Sequence, residues 1–251
     1  MNTQDQQELL EMLAKDRRNN LQFYEYLEYL QSDNDRFGFF GYYDNRQLVA
    51  VQYFSPLNTG ISLIHNDKHY ISLLKKHIEQ ISSTYLYGRA DILSQLGDIP
   101  NRKTYPYWYG YLNRSNDSPL PTISPVIQAT LEDIHAITDF YADKEIMIEI
   151  PERLPNIIKN GSAFIFKEGN KVVSIALAHS ETSQYALIGG IYTDDDSRGK
   201  GYGYACTSAL ANHLYKKNKT PFLFYDATLP HLHSFYQELG FTLTEEYVIL
   251  Y

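Results

Sequence analysis

The sequence predicts an α/β fold with a mixed sheet, built from two domains of similar element order that follow one another. Apolar residues make up 43% and charged residues 21% of the 251 residues, which is typical of globular domains. A chain of this length exceeds the usual size of a single domain. Helical and strand-like periodicities alternate in both halves, on either side of a proline- and serine-rich segment at residues 114–125.

The N-terminal half is predicted to start with helices and to continue into strands. Leucine and aromatic residues recur at helical spacing in residues 8–13 and 21–30. Aromatic and β-branched runs at residues 37–43 and 48–54 flank a turn at Asp44-Asn45-Arg46, which indicates a β-hairpin. The remaining elements predicted here are a strand at 60–65, a helix at 71–81, a strand at 85–87, a short helix at 90–96 and a strand at 105–111.

The C-terminal half begins with a helix start signal. Thr130 and Asp133 have the spacing of a capping box, and the helix that follows has one apolar face. Strands at 163–166 and 172–178 form a predicted hairpin across Glu168-Gly169-Asn170. The elements predicted after it are a strand at 185–193, a glycine loop, a helix to about residue 217, a strand at 222–225, a helix ending at residue 239 and a last strand.

Both halves therefore follow the order of helices, hairpin, third strand, helix, strand, helix and final strand, which indicates a diverged internal repeat. The predicted domains are residues 1–113 and 126–251, and residues 114–125 form the linker between them. The glycine loop occurs in the second half, so we expect the ligand to bind there.

Charge and composition argue against a nucleic-acid-binding, secreted or membrane protein. The formal net charge of −8 repels a phosphate backbone, so we expect no nucleic-acid partner. The polar start of the chain lacks the apolar core of a signal peptide, and no stretch approaches the roughly 20 apolar residues of a membrane span. We therefore expect a cytoplasmic protein with no membrane contact. The single cysteine, Cys206, cannot form an internal disulfide and is expected to be a buried packing residue.

The candidate chemistry lies in residues 191–203, where a strand runs into glycines and then into a helix. Such a loop leaves backbone N–H groups unpaired at the positive end of the helix dipole, which suits a pyrophosphate. Glycines at alternate positions from 199 to 203 allow an anion to approach closely, and Arg198 and Lys200 add positive charge. A tight turn would also use these glycines. The spacing is neither the Walker pattern nor GxGxxG, so nucleotide hydrolysis and dinucleotide binding lose support.

Two motifs resemble those of a known family. Arg198-x-x-Gly201-x-Gly203 matches the Arg/Gln-x-x-Gly-x-Gly/Ala signature of the GCN5-related N-acetyltransferases (GNAT), and Phe235-Tyr236-Gln-Glu-Leu-Gly240-Phe241 resembles their FYxxxGF element. The motifs occur in the family's order, and the resemblance covers residues 126–251. The layout is similar to a bacterial subgroup with tandem acyl-CoA N-acyltransferase domains, of which the N-terminal one is degenerate.

The resemblance implies a role for each motif. In the family, the strand before the loop diverges from its neighbour and its backbone pairs with pantetheine, here through Ile191 and Thr193. Tyr236 would be the general acid for the departing CoA thiolate, although an aromatic residue on a helix face shared with other apolar residues is more often part of the core. The cofactor-binding residues implied in this way are Ile191, Tyr192, Thr193, Arg198, Gly199, Lys200, Gly201, Tyr202 and Gly203.

The sequence also departs from the family pattern. Leu229 stands where many members have an asparagine, and Leu187 lies near the position of a glutamate base in some members. The general base is therefore open, with His179, Glu149 and Glu152 as candidates, each of which would otherwise be a solvated or structural side chain.

Two further groups of polar side chains are not expected to form ligand sites. The acidic residues at 194–196 precede a phosphate loop, where negative charge is unhelpful, so we expect them to point to solvent or to cap the turn. His231 and His233 alone fall short of a metal site, and no metal is expected.

From these observations we predict an acetyl-CoA-dependent N-acetyltransferase. It would transfer an acyl group to a primary amine by direct attack in a ternary complex. The alternative is a noncatalytic CoA-binding or scaffold protein with a GNAT fold. The expected ligands are acetyl-CoA (coenzyme A) and a small-molecule or peptide amine acceptor. The oligomeric state, including a homodimer, is open.

Overall fold

The computed structural model describes residues 3–15, 20–21, 23–24, 27, 38–54, 58–63, 68–80, 85–99, 102–112, 120, 125–144 and 150–250. Its helices are α1 Thr3–Ala14, α2 Lys68–Ile78, α3 Ala90–Leu93, α4 Ile134–Tyr141, α5 Ile150–Lys159, α6 Tyr202–Lys216 and α7 Pro230–Glu238. Its strands are β1 Gly38–Asp44, β2 Gln47–Phe54, β3 Asn58–Leu63, β4 Tyr85–Arg89, β5 Thr104–Leu112, β6 Val126–Gln128, β7 Ala163–Glu168, β8 Lys171–Glu181, β9 Tyr185–Thr193, β10 Thr220–Asp226 and β11 Phe241–Leu250.

The chain forms two compact units. The first contains Met1–Gly110, Phe224–Leu232 and Leu243–Tyr251, and the second contains Tyr111–Leu223 and His233–Thr242. Segments of the C-terminal half are therefore part of the first unit. The predicted division at residues 114–125 stays a prediction, because most of that segment lies outside the described residues.

The first unit is a mixed sheet in the order β1-β2-β3-β4-β11-β5. The predicted hairpin is confirmed, since β1 and β2 pair antiparallel from Gly38 to Asp44. Its turn residues Asn45 and Arg46 have φ values of 47° and 67°, as the tight two-residue turns of twisted hairpins require. Strand β3 runs parallel to β4.

The last strand of the chain belongs to this sheet. Tyr247 and Leu250 of β11 pair antiparallel with Arg89 and Leu86 of β4. The guanidinium of Arg102 donates to the carbonyl oxygen of Leu250 over 3.2 Å. Strand β11 therefore completes the N-terminal sheet through backbone pairing.

The second unit has the strand order β10-β9-β8-β7-β6, with β10 parallel to β9 and the other pairs antiparallel. The capping box is confirmed, since Asp133 accepts from the backbone N–H of Thr130 over 2.8 Å at the start of the helical segment. Helices α4 and α5 pack against β8 and bury Ile137, Leu154 and Ile157. This mixed α/β architecture confirms the predicted fold class.

The structure adds elements that the sequence did not predict. Strand β6 and helix α5 are absent from the predicted order, and Pro155 explains the omission of α5 because proline disfavours a helix interior. Most of the predicted helix at residues 21–30 lies outside the described residues. Cys206 is buried, as predicted, and burial raises the pKa of its thiol to about 12. In the described ranges, no helix is long and apolar enough to cross a membrane.

Candidate functional site

Strands β9 and β10 separate shortly after they begin. Their parallel register pairs Tyr185 with Thr220 and ends at Leu187 with Phe222. Strand β9 nevertheless continues to Thr193 and stays paired with β8 on its other side. Residues 188–193 therefore have one edge that β10 does not cover.

The hydrogen-bond pattern identifies which backbone groups lie on this edge. The N–H of Asp194 donates to the carbonyl of Val173 over 2.9 Å, toward β8. Because opposed residues of antiparallel strands alternate in this respect, Thr193 directs its backbone groups away from β8. The Arg198 Nε accordingly donates to the Thr193 carbonyl over 3.3 Å. The backbone groups of Thr193 therefore lie on the edge that β10 does not cover.

The glycine loop lies between Thr193 and α6. Gly199 and Gly201 have φ values of 74° and 79°, a conformation that favours glycine. A Cβ on Gly199 would meet nothing within 4 Å, so this side of the loop is open. Gly203 is more closely packed, since its Cβ would lie 3.0 Å from the Thr193 hydroxyl oxygen.

The N–H groups of the loop are available to bind an anion. Within the described part of the chain, the N–H groups of residues 199–203 have no hydrogen-bond acceptor. They precede α6, a helix of 15 residues whose dipole adds positive potential at this end. The N–H of Arg198 differs, because it donates to the carbonyl of Asp195 over 3.3 Å. The anion-binding amides therefore begin at residue 199.

Both cations of the loop contact carboxylates. The Arg198 guanidinium lies 2.8 Å from Asp195, and its carbon atom lies 5.3 Å from the centre of the Tyr192 ring. The Lys200 ammonium lies 3.0 Å from Glu168, with both side chains about half exposed. Exposed pairs of this kind are weak, so an incoming phosphate can replace the carboxylates.

Glu168 also holds Tyr202. The Tyr202 hydroxyl donates to Glu168 over 3.0 Å, and its ring stacks on Phe166 at 3.8 Å between centroids. The hydrogen bonds from Lys200 and then Tyr202 lower the pKa of Glu168. One carboxylate on the β7–β8 hairpin therefore contacts two of the loop residues implied in cofactor binding.

The prediction for the acidic residues at 194–196 is wrong for Asp194. Its side chain is only 16% exposed and binds Lys171 at 2.6 Å and Lys144 at 3.5 Å. These two lysines neutralise the carboxylate, so it does not face the loop as an uncompensated charge. Asp195 and Asp196 are exposed, as predicted.

The FYxxxGF element lies against the glycine loop. A Cβ on Gly203 would lie 3.9 Å from the Phe235 ring, which places α7 beside the start of α6. The adjacent Tyr236 is 6% exposed and packs with its ring on Phe235 at 5.0 Å and on Phe241 at 5.8 Å. The structure thus brings the two sequence motifs together through Phe235 and Gly203.

Strands β8 and β9 are irregular next to this edge. The register steps from Ile175 with Tyr192 to Leu177 with Gly189, so β9 contains one extra residue in a bulge. Gly190 lies in the bulge with φ of 57°. The carbonyl of Gly190 accepts a hydrogen bond from the Tyr141 hydroxyl. Tyr141 belongs to the predicted apolar face of its helix, but no motif marks its contact with a residue 49 positions away.

His179 lies at a second irregularity, on β8. The register there steps from Ala178 with Ile188 to Ser180 with Leu187, which leaves His179 as the extra residue. Burial, followed by the charge of Arg153, lowers the pKa of its imidazole to about 4. His179 is therefore neutral at physiological pH and can accept a hydrogen bond or a proton.

The other candidate residues have different outcomes. Glu149 lies outside the described residues, and Glu152 lies on α5 without a described side chain. Leu187 is the last β9 residue paired with β10, and Leu229 is 40% exposed. Across the described ranges, no group of three or more His, Cys, Asp or Glu residues is arranged to hold a metal.

Comparison with known proteins supports the fold. Residues 167–250 match the family model described as FR47-like protein. No curated protein sequence matches the chain.

Several solved structures are similar over most of the chain. A GNAT-family acetyltransferase from Colwellia psychrerythraea is 16% identical, with a TM-score of 0.59 over 84% of both chains. A Drosophila protein is 9% identical, with a TM-score of 0.73 over 100% of this chain and 96% of its own. A GCN5-related N-acetyltransferase from Sphaerobacter thermophilus is 12% identical, with a TM-score of 0.58 over 86% of this chain and 95% of its own. At these identities, the similarity shows a shared fold.

Proposed function

Because the chain has the fold of the GCN5-related N-acetyltransferase superfamily, we propose that it is an acetyl-CoA-dependent N-acetyltransferase that acts on a primary amine in a ternary complex. The observation that carries this proposal is the separation of β9 from β10 after Leu187, directly ahead of a loop whose amides lack acceptors among the described residues. The uncovered edge suits an extended pantetheine arm, and the loop suits a pyrophosphate. The acceptor is a small-molecule or peptide amine.

The binding residues follow from this geometry. The N–H groups of residues 199–203 hold the pyrophosphate, and Arg198 and Lys200 add charge after they leave Asp195 and Glu168. The backbone of Ile191 and Thr193 pairs with the pantetheine arm. Tyr192 and Tyr202 support the loop through Arg198 and Glu168.

The chemistry requires three actions from the protein. Acetyl-CoA, when bound, supplies an acyl group activated as a thioester. The N–H of Ile191 donates to the carbonyl oxygen as negative charge develops there. As the amine nitrogen bonds to the carbonyl carbon and the carbon–sulfur bond breaks, Tyr236 donates a proton to the sulfur and a base takes a proton from the amine.

His179 is the described candidate for that base. Its neutral imidazole lies against Gly189, next to the bulge that contains the proposed carbonyl-binding N–H. A pKa of about 4 makes it a weak base, so it acts best on an acceptor that is already uncharged or through a water molecule. Glu149 and Glu152 are the alternatives.

The test is release of CoA thiol from acetyl-CoA with a panel of primary amines, measured beside the thermal shift that acetyl-CoA produces. The proposed enzyme gives both a shift and amine-dependent thiol release. A noncatalytic CoA-binding or scaffold protein, which Leu187 at the usual base position favours, gives the shift alone. If neither ligand binding nor turnover is detected, the proposal is wrong in both forms.

A further inference from the structure

Tyr141 connects helix α4 to the bulge of β9. It is the last residue of α4, it is 7% exposed, and its hydroxyl donates to the carbonyl oxygen of Gly190. Its ring packs in the core of the second unit, with Phe140 at 5.4 Å between centroids. Burial raises the pKa of this hydroxyl, so it remains protonated and continues to donate.

The carbonyl that Tyr141 holds belongs to a peptide that glycine leaves free to rotate. Gly190 has φ of 57° and lies where β9 has one residue more than β8. A bulge interrupts the regular ladder, and glycine permits several orientations of the next peptide. A side-chain donor at this carbonyl therefore selects one orientation.

Fixing the carbonyl also fixes an N–H group. The peptide between Gly190 and Ile191 is planar, and in a trans peptide the C=O and N–H point in opposite directions. When the Gly190 carbonyl points to the Tyr141 hydroxyl, the N–H of Ile191 points away from α4. Ile191 lies in the segment of β9, after Leu187, that β10 leaves unpaired.

We infer that Tyr141 is a positioning residue that aims the Ile191 N–H at the thioester carbonyl through the Gly190–Ile191 peptide. The inference rests on the proposed function, because it assigns a residue to the same site. A hydrogen bond at the carbonyl also polarises the peptide and strengthens the N–H as a donor. Tyr141 itself contacts neither substrate.

The test compares two ligands that differ by one oxygen. Acetyl-CoA carries the thioester carbonyl, whereas S-ethyl-CoA has a methylene in its place. We expect the wild-type protein to bind acetyl-CoA about five- to tenfold more tightly in calorimetry, as one hydrogen bond would give. In Tyr141→Phe, which keeps the ring, we expect the preference to fall to about twofold or less, with the affinity for S-ethyl-CoA unchanged.

Turnover gives a second readout. We expect kcat of Tyr141→Phe to fall about tenfold or more, with little change in KM for acetyl-CoA, because the N–H acts on charge that develops in the transition state. Tyr185→Phe is the matched control, because it removes the hydroxyl of another buried tyrosine of the same unit and should keep both the ligand preference and kcat.

Three outcomes distinguish failure of the proposed function from failure of the inference about Tyr141. If the wild-type protein binds neither ligand, the proposed function fails. If it binds both ligands equally, or if Tyr141→Phe keeps the preference and kcat, the inference is overturned and the proposed function stands. A common loss of melting temperature in both tyrosine variants leaves the ligand preference as the deciding result.

Discussion

The imidazole of His179 occupies the space that a side chain at Gly189 would need. A Cβ on Gly189 would lie 1.8 Å from His179 Nε2 and 2.5 Å from its Cδ2. Glycine at position 189 of β9 therefore leaves room for the His179 ring of β8 to lie against the β9 backbone. This contact places a neutral imidazole one residue ahead of the β9 bulge.

Gly189→Ala should displace the His179 ring and destabilise the protein. We expect a loss of about 1–3 kcal/mol in the free energy of unfolding, as overpacking usually costs. The same substitution in a His179→Ala background should cost less than about 1 kcal/mol, because the clashing atoms are gone. Urea unfolding of the four proteins measures the difference, and equal costs in both backgrounds would show that the contact is not the cause.

Tyr236→Phe should lower turnover without weakening the binding of acetyl-CoA. The substitution keeps the ring that packs on Phe235 and Phe241 and removes only the proton donor. A general acid typically contributes at least about a hundredfold to the rate, and we expect a loss of that order in kcat. The thermal shift with CoA should be unchanged. A variant with full activity would remove Tyr236 from the mechanism.

Gly199→Ala should weaken CoA binding because the added methyl group lies at the loop, and not because alanine is strained at a positive φ. Gly199 and Gly169 both have positive φ, of 74° and 61°, and a Cβ at either would meet nothing within 4 Å. Each alanine should therefore cost a similar ~1 kcal/mol of stability. The Cβ at residue 199 would occupy the open space beside the loop, where we propose that the phosphates bind, so we expect about a tenfold or greater loss of CoA affinity. Gly169→Ala should bind CoA normally, and equal affinities in calorimetry would contradict the site.

Glu168→Gln should strengthen CoA binding. The carboxylate pairs with Lys200 and accepts from Tyr202, so it competes with a phosphate for the loop cation. Exposed ion pairs are weak, so we expect only about a two- to fivefold gain in affinity. Glu132→Gln removes the same charge from another exposed position and controls for net charge. The gain should shrink as salt rises, and a gain equal to that of the control would show a nonspecific effect.

Glu181 should contribute stability that depends on its ionisation. Burial alone would raise the pKa of this carboxyl, but hydrogen bonds from Lys219 and Ser162 outweigh burial and lower the pKa. A lowered folded-state pKa stabilises the protein above the unfolded value of 4.5, and that stability is lost as the pH falls through the folded value.

Glu181→Gln should therefore cost about 2 kcal/mol at pH 7, because it leaves the buried Lys219 contact without its charge. The difference from the wild-type protein should close as the pH falls below 4.5. Urea unfolding across this range measures it, and a difference that does not change with pH would exclude the ionised carboxylate as its source.

Local patterns predicted the elements whose signals lie within a few residues. The capping box at Thr130, the hairpin turn at Asn45 and the strand–loop–helix order around the glycines all depend on neighbours in sequence. Helix α5 escaped prediction, because Pro155 removes a helical hydrogen bond that the burial of Leu154 and Ile158 compensates. That compensation depends on the tertiary fold.

Long-range contacts determined what the sequence could not predict. Asp194 was expected at the surface, but Lys171, from the hairpin 23 residues earlier, binds it. The contact of Tyr141 with Gly190 and the pairing of β11 with β4 likewise join distant residues without a motif. The motifs therefore located the loop and Tyr236, whereas the residues that support them required the fold.

Amide chemical shifts of the glycines test the central claim most directly. Glycine-selective ¹⁵N labelling reports on the 14 glycines of the chain while acetyl-CoA is added. The account predicts large shifts for Gly199, Gly201 and Gly203, as their N–H groups bond to phosphate oxygens, and no shift for Gly97, which belongs to the first unit. Saturating acetyl-CoA that leaves the three loop glycines unmoved would contradict it.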